Sequence, residues 1–325
     1  KQDIYRDYPK LKWVFLSTRA YRCLNEVTPM LGDSGKAQHY GDVTNPIDML
    51  ISGYRAYRTD DIAHEIWHSA LYDEKRLEAF ADIFDADPQA LIDELVAKKP
   101  ELPIRLQSVN NSGYGIAILQ SEATEDGRAA YVSYGRTCGS HPHKDRLNIS
   151  IFAKRFVMAP DLAYPEFTGG WPKRHAWTNH TMSHNTVTVN DRKQACNWSG
   201  KTELFEGGDT ARIAIIDGGP PVYEGVTTYR RALSLIDVSD TDSYAVDVFW
   251  VRGGTNHRMV NNGAGWEITT ENLNVTKQPT GTFAGPDIPY AAKIVEPDEG
   301  CAAFSYLRDV SRGNATAKSS WIDWD

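Results

Sequence analysis

The chain has 325 residues, with 35 basic against 43 acidic side chains and a formal net charge of −8. A non-specific nucleic-acid binder is expected to be basic, so that class is excluded on charge. No apolar run approaches the roughly 18 residues that a membrane span needs, and the length allows two domains, each with its own core.

Residues 1 to about 100 read as helices. Leu11, Val14, Phe15 and Ala20 form an approximate helical stripe that continues to Leu24. Ile47 to Leu71, carrying Met49, Leu50, Tyr54, Ile62 and Ile66, predicts a second helical stretch. Arg76 to Ala97 predicts a third, broken near Asp87-Pro88. Between the first and second lies the turn-rich loop Thr28-Pro29-Met30-Leu31-Gly32-Asp33-Ser34-Gly35, running on to His39 and Tyr40. After Pro103 the hydrophobic period changes to two. Strands are expected at Gly115–Gln120, Ala129–Tyr134, Leu147–Phe152, Thr186–Val189, Ala211–Ile216, Ala232–Val238, Tyr244–Trp250, Trp266–Thr270 and Ala302–Leu307. A run of strands after a run of helices predicts an α+β multidomain chain. The first unit is a helical segment over 1–103, with the linker at 98–103, and the second is an antiparallel β-sandwich or barrel over 104–325. Three or four helices make no obvious closed bundle, so residues are expected to be missing at both ends.

Cys23, Cys138, Cys196 and Cys301 form no CxxC and allow two disulfides in three pairings, or none. Sequons at Asn110, Asn148, Asn179, Asn197, Asn274 and Asn314 point to a secreted or periplasmic protein, although such motifs also occur unused.

The most informative stretch is Gly139-Ser140-His141-Pro142-His143-Lys144-Asp145, followed by Asp161 and by Ser183-His184-Asn185-Thr186-Val187. Side chains at i and i+2 of an extended segment leave the same face, so His141 and His143 point into one space if the stretch is a strand. Imidazoles and carboxylates suit a divalent metal such as zinc, and three protein ligands satisfy it with one position open. With nine histidines in the chain, the competing reading is an HxH on a solvated loop. Lys144, Arg146, Lys154, Arg155, Lys173, Arg174 and His175 crowd the same region, either to receive an anionic ligand or as a solvated strand face.

The runs G-S-H-P-H-K-D-R-L-N (139–148), A-P-D-L-A-Y-P (159–165) and S-H-N-T-V-T-V-N-D-R-K-Q (183–194) resemble the heparinase II/III-type polysaccharide lyases, a group that includes heparin/heparan and alginate lyases. The resemblance covers roughly 28–260 and takes in the Gly32-Asp33-Ser34 loop. It implies an α/α toroid, of which this chain holds the C-terminal part, followed by an antiparallel β-sandwich, with the active site in the cleft between. It also implies that His143, Asp161 and His184 hold a structural divalent metal, zinc by first choice, with Asp145 the competing carboxylate. His141 then faces the substrate as the catalytic contribution from this side, and Tyr164, His180 and Arg174 are candidate substrate contacts. Smaller candidates are Trp171, Trp177 and Trp198 as sugar platforms, His39-Tyr40 as an acid/base pair, and Arg252 with His257 along the cleft. Asn185 is expected to fix its loop by hydrogen bonds.

The implied reaction is β-elimination on an acidic, uronate-containing polysaccharide, alginate first and a heparin- or heparan-type glycosaminoglycan second. Its acid/base tyrosine sits upstream of the Gly-Asp-Ser loop in the resembling enzymes. Here only Tyr5, Tyr8 and Tyr21 precede that loop, so a missing toroid segment or partner chain is expected to supply it. A non-catalytic carbohydrate-binding sandwich is the second reading. A cupin-like metal oxygenase is the third, and the absence of a glutamate soon after the HxH weighs against it.

Overall fold

The computed structural model describes residues 3–34, 47–78, 87–102, 106–162, 172–219, 221–265, 267–295, 300–315 and 321–324. The first two helical stretches are more divided than the periodicity predicts. The first divides into α1 (Ile4–Asp7), a 3₁₀ turn at Pro9–Leu11, α2 (Lys12–Phe15) and a second 3₁₀ turn at Ser17–Tyr21. Asp3 caps α1 through the amides of Tyr5 and Arg6, whereas the Ser17 hydroxyl takes the Val14 carbonyl beyond the end of α2. The stretch expected from Ile47 to Leu71 is two helices, α3 (Ile47–Tyr57) and α4 (Asp60–Ser69). Arg58 at φ 51° ends α3, and Asp60 and Asp61 place negative charge at the start of α4. The third region gives α5 (Glu74–Glu78) and α6 (Pro88–Val96), the latter capped by Asp87 with proline in its first turn. Leu50, Tyr54, Ile62, Ile66, Trp67, Leu91 and Leu95 make one core among these helices, and the Trp67 indole donates to the Leu95 carbonyl at 2.7 Å.

Two antiparallel sheets follow. β1 (Val109–Asn111), β2 (Ile116–Gln120), β3 (Arg128–Ser133), β4 (Asn148–Ala153) and β5 (Phe156–Val157) form a meander in that order. After β6 (Val187–Val189), the strands β7 (Lys201–Gly207), β8 (Ala211–Asp217), β9 (Thr228–Asp237) and β10 (Ser243–Arg252) form the second sheet. Two-residue periodicity sends Ala117, Leu119, Ala130, Val132 and Ile149 to one face of the meander, against Ala214, Ile216, Leu233 and Leu235 of the second sheet. Ile116, Ile118, Ala129, Tyr131 and Phe152 leave the opposite face and pack on Cys23, Leu24 and Val27. Hence β2 and β3 are buried on both sides and read as unbroken apolar runs.

Among the described residues, three smaller ladders accompany these sheets: β11 (His257–Met259) on β6, β12 (Ile268–Glu271) on β15 (Trp321–Trp324), and β13 (Leu273–Lys277) on β14 (Ser311–Ala315). The strand expected at Ala302–Leu307 is instead a 3₁₀ helix, Ala302–Tyr306, whose Tyr306 stacks on Trp177. An apolar run of this length marks burial, and burial alone does not distinguish the two conformations. Cys138 and Cys196 form one disulfide, while Cys23 and Cys301 are buried and unbridged. Among the described residues no helix is long and apolar enough to cross a membrane.

Candidate active cleft and buried histidine cluster

The site forms where the loop after Leu31 meets the connection between β3 and β4. Gly32 has φ +57°, and a Cβ there would lie 2.6 Å from the His141 carbonyl oxygen, so only glycine permits this approach. The Asp33 amide then donates to that same carbonyl at 3.1 Å. Its carboxylate faces both histidines of the HxH: Oδ2 lies 3.0 Å from His141 Nδ1, and Oδ1 lies 3.0 Å from His143 Nε2. Arg174 Nη1 also donates to Asp33, and its Nη2 donates to the Ser140 carbonyl at 2.6 Å. Burial alone would raise the Asp33 pKa, but the hydrogen bonds from His143, His141 and Arg174 outweigh it and hold the group below the usual carboxylate range.

The two histidines part company here. His143 is fully buried, whereas the His141 side chain is 83% exposed. His141 lines a cavity of about 600 Å³ together with Asp33, Tyr114, Arg136 and Trp198. Since an ionised carboxylate only accepts, Nδ1 of His141 is the donor to Asp33. Its Nε2 is the ring nitrogen left for a ligand.

Behind His141 lies a buried cluster. One ligand atom from each of His143, Asp145 and His184 falls within 4.8 Å of the others, and the His143 and His184 rings are 5.1 Å apart. His184 Nε2 donates to the Thr178 carbonyl at 3.1 Å, and its Nδ1 lies 2.5 Å from Asp161 Oδ1. Asp161 Oδ2 accepts from Asn148 Nδ2 at 3.0 Å. His143 Nδ1 is buried without a hydrogen-bond partner. Burial lowers the His143 pKa, with the nearby His184 charge second. Burial acts the same way on His184, but the Asp161 charge and hydrogen bond reverse it and raise the net value. Burial pushes Asp161 up, and His184 and His143 together bring it below its ordinary value.

This donor set fits a divalent cation. Both imidazoles spend Nε2 on an outside acceptor, Asp33 or Thr178, which leaves Nδ1 as the candidate ligand nitrogen, and at His184 a cation would take the place of the proton shared with Asp161. An orphaned buried ring nitrogen and a nitrogen–carboxylate contact at 2.5 Å are two groups that a shared cation would satisfy. Of the two carboxylates, Asp145 shares the ligand-distance group with both histidines, and Asp161 contacts His184 directly.

The remaining candidates fall into place unevenly. His180 is fully buried, and its Nδ1 accepts the Met182 amide as the cap of the 3₁₀ turn Thr181–Ser183. Burial therefore removes it from the substrate contacts. Arg174 is committed to Asp33 and Ser140, so it braces the loop junction. Asn185 receives the Asn262 amide and donates to the carbonyls of Ile149 and Pro160, a loop-fixing role. Trp177 packs on Tyr306, and His257 Nε2 bonds Gly253 in a turn. Tyr164, Trp171, His39 and Tyr40 lie outside the described residues. Asn148 is completely buried, so that sequon cannot carry a glycan in the folded chain. The residue that periodicity and spacing do not single out is Asp33: its carboxylate joins the HxH from 108 and 110 positions away.

Residues 103–242 match the family described as Heparinase II/III-like, C-terminal. No match is found among curated proteins. Among solved structures, the chain is similar to a heparinase III gene product, with 15% identity and a TM-score of 0.54 over 85% of this chain and 40% of that one. The same product with methylated lysines gives 15% identity and a TM-score of 0.51 over 86% and 40%. The heparan sulfate lyase HepC from Pedobacter heparinus gives 12% identity and a TM-score of 0.42 over 73% and 42%. The chain thus spans about 40% of the length of the first two structures, and at these identities the likeness speaks for the fold. The match to the family model over residues 103–242 and the likeness of fold thus agree with one another.

Proposed function

We propose that the protein is a polysaccharide lyase that cleaves a uronate-containing polysaccharide by β-elimination. The observation that carries this reading is the Asp33 carboxylate, which holds an exposed His141 at a cavity and a buried His143 behind it. Elimination breaks the C5–H bond α to the uronate carboxylate and the C4–O bond of the glycosidic link, and forms a C4=C5 double bond. The C5 proton goes to a base and the leaving oxygen takes a proton from an acid. A charged carboxylate makes that C–H a very weak acid, so a donor must neutralise it as the dianion develops. His141, fixed through Nδ1 by Asp33, presents Nε2–H for that work when both ring nitrogens carry protons.

Tyr114 also lines the cavity, but burial raises its pKa, the wrong direction for a base, and we leave it unassigned. We read the helices of 1–103 as the end of an α/α toroid whose remaining part carries the acid/base tyrosine, and 104–325 as the sandwich unit. A divalent cation such as zinc, held by His143 and His184 with Asp161 or Asp145, would brace the β3–β4 connection against the segment entering β6. The structures with a TM-score above 0.5 are named heparinase III, which weighs for a glycosaminoglycan over alginate. The Cys138–Cys196 disulfide supports a secreted or periplasmic site of action.

The test is ultraviolet absorbance of unsaturated uronyl ends, using the complete gene product on heparan sulfate, heparin, other glycosaminoglycans and alginate. Growth of the signal on any of them supports the reading, and none on all of them sinks it. Binding without a double bond would favour the carbohydrate-binding module.

A further inference from the structure

Part of the cavity wall is built by two segments far apart in sequence, residues 135–137 and 198–199. They are clamped together. Cys138 and Cys196 are bridged with Cα atoms 4.8 Å apart. The Thr137 amide donates to the Asn197 carbonyl at 2.9 Å, the Asn197 amide returns a bond to Thr137 Oγ1 at 3.1 Å, and Lys144 Nζ donates to the Thr137 carbonyl at 2.6 Å.

What the clamp presents is unusual for a folded surface. Trp198 is 73% exposed, and the Arg136 guanidinium carbon lies 4.9 Å from its ring centroid. A large aromatic left in water forgoes burial free energy, and one that lines a cavity offers its face to a ligand. Arg136 is exposed as well and has no carboxylate partner among the described residues. Arg146, the other arginine of this cavity, is buried and donates to the Gly218 carbonyl. An aromatic face suits the C–H face of a sugar ring, and a guanidinium pairs with carboxylate or sulfate through two parallel hydrogen bonds. A cavity of about 600 Å³ lies within the size range of small-ligand sites, and His141, Arg136 and Trp198 all line it.

We propose that Trp198 and Arg136 form a subsite for an anionic sugar unit of the polymer, separate from the unit that meets His141. This rests on the reading of the cleft as a uronate site. Trp198 supplies stacking that is indifferent to charge, and Arg136 supplies the selection for an anion.

The test measures calorimetric binding of the complete protein to a uronate-containing tetrasaccharide, and to the same tetrasaccharide with its carboxylates reduced to alcohols. Trp198→Ala should weaken both by about tenfold, the scale of one lost aromatic contact. Arg136→Gln should weaken the acidic ligand by about tenfold and leave the reduced one unchanged, and Arg136→Lys should fall between, since it keeps charge without the fork. On polymer, both substitutions should raise KM more than they lower kcat. If wild type forms unsaturated ends while both variants keep its affinity and KM, the subsite is overturned and the lyase reading stands. If wild type binds the acidic tetrasaccharide through this pair but makes no double bond on any uronate polymer, the subsite stands and the lyase reading falls. Absence of binding by wild type overturns both.

Discussion

The two sides of Asp33 make an instructive contrast. On one side His143, His184, Asp145 and Asp161 are almost wholly buried, and one ligand atom from each of the first three lies within 4.8 Å of the others. On the other side His141, Arg136 and Trp198 stand in water around a cavity. The same carboxylate anchors both halves through different oxygens. Two histidines separated by a single proline thus lie in opposite environments, one buried and one exposed. The difference lies in what packs around each ring.

That contrast is broken most severely from the buried side. His184→Ala removes a ring that holds Asp161 and Thr178 and leaves a buried carboxylate without its partner. A loss of about 3–5 kcal/mol of stability is expected for such a break. The expected result is a large fall in thermal midpoint together with loss of bound divalent metal by elemental analysis. Chelation should lower the midpoint of wild type and leave that of His184→Ala unmoved. A metal-free wild type with an unchanged midpoint would show that the cluster stands on hydrogen bonds alone.

The clamp on the exposed side ranks second. Replacing Cys138 and Cys196 together by serine should cost about 2–4 kcal/mol by restoring chain entropy to the unfolded state. Metal content should stay intact, because the buried cluster does not touch the bridge. A variant that lost metal along with the disulfide would mean the two sides are coupled more tightly than the separate contacts imply.

Asp33→Ala comes third and strikes both sides at once. It removes the acceptor of His141, His143 and Arg174, and about 1–3 kcal/mol is expected for leaving buried donors unmet. Turnover of a uronate polymer should fall at least as far as with His141→Ala, and metal retention should weaken. Loss confined to either readout would show that Asp33 serves one histidine only.

Much of this arrangement is legible in the chain itself. The two-residue period after Pro103 marks β2, β3, β4, β8 and β9, because each buries at least one face, and the HNTV run places His184 at the entrance to β6. Asp87-Pro88 announces the start of α6 through capping chemistry. What is not legible depends on contacts across the fold. Nothing local to Asp33 reveals that Gly32 brings it against the His141 carbonyl, nor that Thr178 fixes the His184 tautomer. His180 shares a short loop with His184 and has the same composition cue, yet it is spent as a backbone cap. The break at Arg58 and the 3₁₀ turn at Ala302–Tyr306 are likewise decided by packing, since their apolar patterns allow other conformations.

The smallest structural effect should come with a large functional one. His141→Ala deletes an exposed ring whose contact is with a carboxylate that keeps two other donors, His143 and Arg174. The thermal midpoint and metal content should therefore match wild type within error. Activity should fall by about 10²–10³-fold, the usual scale for losing one donor that stabilises developing charge. His141→Gln offers a donor without the Asp33-linked imidazole and should recover only part of it. The informative failure is loss of metal. If His141→Ala sheds the cation, both histidines of the HxH are braces, and the reaching role must pass to another wall of the cavity, with Arg136 the first to examine.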